Sequence, residues 1–149
     1  MIPGFDSDGN LPCGIHWVTW KEFVSRFGTT PRRIKLLGGL INALYVLSQV
    51  GCKTVYVDGS FVSSKSIPGD FDACWDTKGV DIESLNEIEP VLLNFDPGRA
   101  QQKAKFSGEF FPADMTEGGS GKTFLEFFQT NKETGNPKGI IALDLETIW

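Results

Sequence analysis

Histidine is nearly absent: the 149-residue chain carries one, His16. This excludes metal sites built on two histidines and leaves a single candidate partner for any Ser–His or Cys–His pair. Cysteine is scarce too. Cys13, Cys52 and Cys74 are odd in number, lie far apart and form no C-x-x-C pair. Neither a zinc site nor a disulfide framework is expected, and a reducing cytoplasm is the default compartment. No apolar run approaches the ~20 residues that span a bilayer, and the polar, acidic first ten residues are unlike a secretory leader. A soluble protein with no membrane partner is expected. An excess of basic residues is also missing, since 14 Lys+Arg face 19 Asp+Glu for a net charge of -5. That balance argues against a strongly basic nucleic-acid clamp, although a local basic patch is compatible with it.

What is present is the material of a packed core. Hydrophobic residues make up 40% of the chain, with 12 Phe and 4 Trp. The length suits one domain able to bury roughly two-thirds of its unfolded surface. Residues 1–18, rich in Pro and Gly, read as an irregular N-terminal arm, and residues 19–149 as a single domain. Thr19 and Glu22 form a capping box ahead of a helix from Trp20 to Phe27 that Gly28 ends. Thr30-Pro31 opens a longer helix, with Ile34, Leu37, Ile41, Leu44 and Leu47 at three- and four-residue steps and Gly51 as the stop. Strands are expected at Lys53 to Asp58, Asp70 to Asp76, Lys103 to Phe111 and Gly139 to Leu145, the first two paired. Asp81 to Leu93 reads as a helix interrupted at Pro90, and Thr123 to Gln129 as a short helix. The fold class is therefore α/β or α+β, a small sheet flanked by helices.

The chemistry concentrates in Asp58-Gly59-Ser60-Phe61 and Gly69-Asp70-Phe71-Asp72. Residues two apart on a strand point the same way, so Asp70 and Asp72 project together and repel unless a cation joins them. A divalent ion such as Mg²⁺ (or Mn²⁺) suits few carboxylates completed by phosphate and water oxygens. Gly59 lets a phosphate approach the backbone, Ser60 supplies a hydroxyl, and Lys65 in the next loop offers charge to a triphosphate. These parts suit phosphoryl or nucleotidyl transfer with paired metal ions. A third carboxylate is wanted. Glu109 is preferred, because an acid between Gly108 and Phe110 in mid-strand is a poor core pattern; Asp114 and Asp144 remain alternatives. Asp58 reads as structural. The catalytic and metal set is Asp70, Asp72 and Glu109, and the nucleotide-binding set is Gly59, Ser60 and Lys65.

A strand ending in Gly-Ser, a loop, and a strand opening Asp-x-Asp resembles the nucleotidyltransferase fold of the DNA polymerase beta superfamily. The chain looks closest to the minimal single-domain members found in bacterial toxin–antitoxin and antiphage-defence loci. The likeness extends from Asp58-Gly59-Ser60-Phe61-Val62 and Asp70-Phe71-Asp72-Ala73-Cys74-Trp75 to Phe127-Phe128-Gln129 and Pro137-Lys138-Gly139-Ile140-Ile141. It covers roughly residues 12 to 145. It implies a nucleotidyltransferase-like mixed sheet, Gly59 and Ser60 on the triphosphate, Asp70 and Asp72 as metal ligands and Glu109 as the third acid. It implies transfer of a nucleoside monophosphate (ribo or deoxyribo) from the triphosphate to a hydroxyl of a protein, itself included, or of nucleic acid. A protein partner encoded nearby, or self-association, would fit such loci. Two departures stand out: the Arg-Gly often found after Gly-Ser is replaced by Lys65, and there is no room for a second, acceptor-positioning domain. The alternative is an antitoxin-like binding module that keeps the fold and acts by holding a partner.

Other features have plainer readings. Thr116-Glu117-Gly118-Gly119-Ser120-Gly121-Lys122-Thr123 nearly fits the phosphate-binding pattern G-x-x-x-x-G-K-[ST], but Thr116 stands where its first glycine belongs, and the stretch reads as a polar loop. Cys74 shares the Asp70/Asp72 face as a small core residue. His16 reads as packing or surface. Tyr45 and Tyr56 read as core, although either hydroxyl could accept a nucleotide. Arg32, Arg33 and Lys35 read as a solvated face.

Overall fold

The computed structural model describes residues 1–149. Its five strands are β1 (Gly14–Val18), β2 (Thr54–Asp58), β3 (Phe71–Trp75), β4 (Gly108–Pro112) and β5 (Gly139–Asp144). Its five α-helices are α1 (Trp20–Phe27), α2 (Pro31–Gln49), α3 (Ile82–Ile88), α4 (Ala100–Phe106) and α5 (Phe124–Phe128). The strands form one sheet in the order β1-β5-β2-β3-β4. The outer pairs, β1 with β5 and β3 with β4, run parallel; the inner pairs, β5 with β2 and β2 with β3, run antiparallel. This is a mixed α+β fold, and no helix is long and apolar enough to cross a membrane.

Local chemistry explains most boundaries. The capping box at α1 is complete, with Thr19 Oγ1 accepting from Glu22 N–H and Glu22 Oε1 accepting from Thr19 N–H. Pro31 sits at the first turn of α2 behind the Thr30 cap. Phe71, Ala73 and Trp75 alternate onto the sheet face that packs on Leu36, Leu40, Leu44 and Leu47 of α2. The opposite face carries Asp72 and Cys74, then Glu109 and Phe111. It is covered only in part, where Phe124 and Phe128 of α5 meet Cys74, Phe111 and Ile140.

Three expectations need correction. Residues 1–18 are not an irregular arm throughout: Gly14–Val18 is a strand in register with Gly139 to Leu143, and Leu11 is buried. Its partner lies more than a hundred residues away, so nothing local marked it. The expected strand from Lys103 begins only at Gly108. Residues 100–106 form α4, because Ala, Gln and Lys are strong helix formers and Ser107 stops the helix in a left-handed conformation at φ 67°. Ile34 is exposed; the buried stripe of α2 runs through Arg33, Leu36, Leu37, Leu40, Ala43, Leu44 and Leu47.

Gln102 of α4 is fully buried and ties edge strand β4 to its surroundings. Its Oε1 accepts from Phe110 N–H at 2.8 Å, and its Nε2 donates to Val91 O at 3.2 Å. Gly39 of α2 lies against the Phe106 carbonyl, where a Cβ would collide with backbone. Gly39→Ala is therefore expected to lower stability despite the better helix propensity of alanine, an outcome that urea unfolding would measure. Cys13 is exposed while Cys52 and Cys74 are buried, and burial pushes the Cys52 thiol up to about 12. A thiol reagent should titrate one group in the native protein and all three only after unfolding.

Candidate functional site

The sheet register assembles the site. Asp58 on β2 is the antiparallel partner of Asp72 on β3, and Asp72 is the parallel partner of Glu109 on β4. Three carboxylates thus stand in one transverse row on the partly covered face. Asp70 precedes β3 by one residue and joins them: ligand oxygens of Asp70, Asp72 and Glu109 all lie within 4.8 Å of one another. Of the alternatives to Glu109, Asp114 accepts from Thr77 Oγ1 at 2.8 Å, beyond the other end of β4. Asp144 caps the short helical turn Leu145–Thr147 through Glu146 N–H. Glu109 is the acid that converges.

Crowding so many carboxylates has an electrostatic cost. Burial, then the charges of Glu109, Asp58 and Asp70, push the Asp72 carboxyl up to about 7. Burial raises Asp58 as well, against the opposing pull of Lys138, whose Nζ lies 3.0 Å from Asp58 Oδ1. Lys103 Nζ sits 3.2 Å from Glu109 Oε1 and 3.7 Å from Asp70 Oδ2, and Arg99 Nε lies 3.7 Å from Glu109 Oε1. The three converging residues offer hard oxygen donors only, which suits Mg²⁺ or Mn²⁺ and not a soft metal.

Beside Asp72 opens a cleft of about 520 Å³, lined by twelve residues of which none is hydrophobic. Asp58, Gly59, Ser60 and Asp72 line it, together with Asn131, Lys132, Thr134 and Lys138 from the turn before β5. Asp8 and Asn10 line it too, so residues of the N-terminal segment border the cleft. Gly59 is required twice over. It adopts φ 89°, and a Cβ there would stand 2.9 Å from Asp72 Oδ2. Glycine at this position admits the Asp72 carboxylate, a demand beyond close approach of a phosphate.

Lys65 does not line this cleft. It borders a separate depression with Phe5, Arg26 and Arg33. The expected solvated face of Arg32 and Arg33 is overturned too. Arg33 is buried, and its guanidinium donates to the carbonyls of Phe61 (2.6 Å), Ser63 (3.0 Å) and Lys65 (2.7 Å) while lying over the Phe61 ring. Arg32 donates to Pro68 O at 3.2 Å and to Gly69 O. The two arginines thereby hold both ends of the loop between Ser60 and Asp70. Cations in the first turn of a helix oppose its dipole, so their place there is explained by the carbonyls they hold.

The remaining candidates fall outside the site. In the near-fit to a phosphate loop, the Glu117 carboxylate already accepts from Gly119 and Ser120 N–H, and α5 beyond it has five residues. His16 Nε2 is 2.7 Å from Pro12 O. Tyr45 is exposed rather than core, edge-on to Trp149. Tyr56 is half-buried against Trp17. Lys132 and Lys138 were missed by the sequence reading. Their one signal was Lys138 in the stretch Pro137-Lys138-Gly139 that carried the resemblance.

Residues 3–144 match the model of DUF6932, a family of unknown function. No curated protein and no solved structure matches the chain.

An aspartate that titrates near 7 when folded, against an ordinary 3.8, binds its proton more tightly in the folded state. Its ionisation therefore removes stability as pH rises between those values. Without divalent ions, Asp72→Asn should melt above the wild type at about pH 8, with the gain shrinking toward about pH 4; thermal melts across that range test it. Arg33→Met strands three loop carbonyls and should cost about 2 kcal/mol or more in urea unfolding.

Proposed function

Because the chain belongs to the DUF6932 family, whose function is unknown, its site must carry the reading, and we propose that it is a metal-dependent nucleotidyltransferase acting in the cytoplasm. It moves a nucleoside monophosphate from a nucleoside triphosphate to a hydroxyl. The observation that carries this is the convergence of Asp70, Asp72 and Glu109 oxygens within 4.8 Å, beside a wholly polar cleft that opens on Gly59-Ser60.

Asp70, Asp72 and Glu109 would hold divalent cations. When bound, such ions supply charge neutralisation at the phosphates and activation of the attacking oxygen. Gly59 and Ser60 face the cleft and present the backbone and a hydroxyl to phosphate oxygens. In the reaction the acceptor oxygen bonds to the α-phosphorus, the bond from that phosphorus to the β-phosphate oxygen breaks, and pyrophosphate leaves. The acceptor proton passes to a carboxylate or to solvent, since no imidazole stands at the site. The loop joining Ser60 to Asp70 is hydrogen-bonded at both ends by Arg33 and Arg32, an arrangement that serves the positioning on which such transfer depends. The acceptor is a protein hydroxyl or a nucleic acid end, in the setting of antiphage defence or a toxin–antitoxin pair.

One observation favours a second reading. Lys103 and Arg99 already neutralise Glu109 and Asp70 from within the chain. An acidic cluster balanced this way suits a partner-holding module that needs no metal.

The two readings separate in a transfer assay. Protein is incubated with each α-labelled NTP and dNTP and Mg²⁺ or Mn²⁺, alone and with nucleic acid or a co-purifying partner. Label is expected in protein or oligonucleotide with the wild type, and to fall at least about a hundredfold with Asp70→Asn or Asp72→Asn. Transfer undiminished by either substitution would overturn the proposal.

A further inference from the structure

The cleft's cations are not where the loop after Gly-Ser would put them. The geometry points to Lys138 and Lys132, on the turn before β5, as the side chains that take the triphosphate of the nucleotide, a role for which Lys65 is misplaced. This inference rests on the nucleotidyltransferase reading and names the phosphate-binding groups of that same site.

Lys138 adjoins β5 and is fixed. Its Nζ pairs with Asp58 at 3.0 Å, and Asp58 has a side chain only 5% exposed. Lys138 itself keeps 17% of its side chain accessible and lines the cleft together with Gly59, Ser60 and Asp72. A buried carboxylate that serves only to balance a lysine is a poor source of stability, because desolvation of both ions offsets their attraction. Holding an ammonium group at the wall of a polar cleft is a better account of the pair. Lys132 has a different setting. It forms no ion pair, and its Nζ lies 5.6 Å from the centre of the Phe127 ring. It lines the cleft together with Ser60 and is close enough to Asp72 and Asp58 to favour their ionised forms.

The other charges facing the cleft are acidic. Asp8 and Glu133 are exposed at its rim, and Asp72 lies within. A polyanion in such a cleft needs positive charge on its lining, and Lys132 and Lys138 are the cationic side chains present there. An ammonium suits this task as a point charge for phosphate oxygens. The departure noted in the sequence, no Arg-Gly after Gly-Ser, is then a relocation of charge to the turn before β5.

The test is calorimetric titration of inorganic triphosphate into the full chain, with Mg²⁺ and without it. Variants are Lys132→Met, Lys138→Met, Lys138→Arg, Lys65→Met and Asp70→Asn/Asp72→Asn. Each lysine-to-methionine change in the cleft should weaken triphosphate binding by about tenfold, the loss of one charge-assisted contact. Lys138→Arg should retain most of the affinity, and Lys65→Met all of it. In the metal-free arm, Asp70→Asn/Asp72→Asn should bind triphosphate at least as well as the wild type. Lys138→Met leaves Asp58 unpaired and can fail to fold, which thermal melts would reveal; Lys132→Met has no buried partner and keeps the test open. Triphosphate bound equally by the wild type and both methionine variants, or not bound by the wild type at all, overturns the inference. If nucleotide transfer occurs and its KM is unmoved in Lys132→Met, this inference fails while the enzyme stands. If triphosphate binding depends on both lysines but no nucleotide is transferred, the enzyme reading fails and the phosphate site stands.

Discussion

Carboxylate repulsion on one row of the sheet is the constraint around which the rest is arranged. Asp58, Asp72 and Glu109 are brought side by side by backbone pairing, which fixes their spacing regardless of their charge. Side chains in register cannot move apart without breaking the ladder, so the tension has to be met by counter-charges from other elements. Lys138 reaches Asp58 from beside β5, and Lys103 and Arg99 reach Glu109 from α4 and the turn before it. Asp72, in the middle of the row, forms no salt bridge, and burial together with its acidic neighbours raises its proton affinity. Asp72 is thus the one carboxylate of the row without a direct ion pair, with Lys132 acting on it only from a distance.

The support for that place is built from backbone groups. Arg33 spends its guanidinium on carbonyl oxygens and not on an acid, and Arg32 does the same one residue earlier. Neighbouring residues on a helix diverge, and here the divergence is useful: one arginine holds the beginning of the loop and the other holds its end. The loop is therefore a strut between the Gly59-Ser60 turn and Asp70. Left-handed residues at both ends of α4, Arg99 and Ser107, mark a place where the chain accepts an unfavourable conformation near the acids.

Legibility in the sequence followed the range of the interaction. The α1 capping box, the Pro31 start of α2 and the alternation in β3 depend on neighbours within a few residues, and their signals were complete. Asp70 and Asp72 were legible because strand parity is local, and Glu109 because an acid between Gly108 and Phe110 is a misfit in a core. β1 was not, since its identity comes from hydrogen bonds to β5. Arg33 was not, since a basic residue opening a helix looks solvated until its carbonyl partners, some thirty residues away, fold over it. Lys65 stands outside the cleft for the converse reason: proximity in sequence to Ser60 does not place it on the same lining.

The strand order also has a temporal side. β5 lies between β1 and β2, yet it is made after every other strand. While the chain is being synthesised, β1 has no partner in the sheet and one edge of β2 stays open, and a sheet closed by contacts so distant in sequence forms late. The polar cleft draws its lining from residues 8–10, 58–63, Asp72 and 131–138. A growing chain that has passed Asp72 and Glu109 already carries the acidic row but lacks the turn that completes the cleft. The finished chamber therefore first exists when the final strand slots in, and the site is among the last features of the molecule to appear.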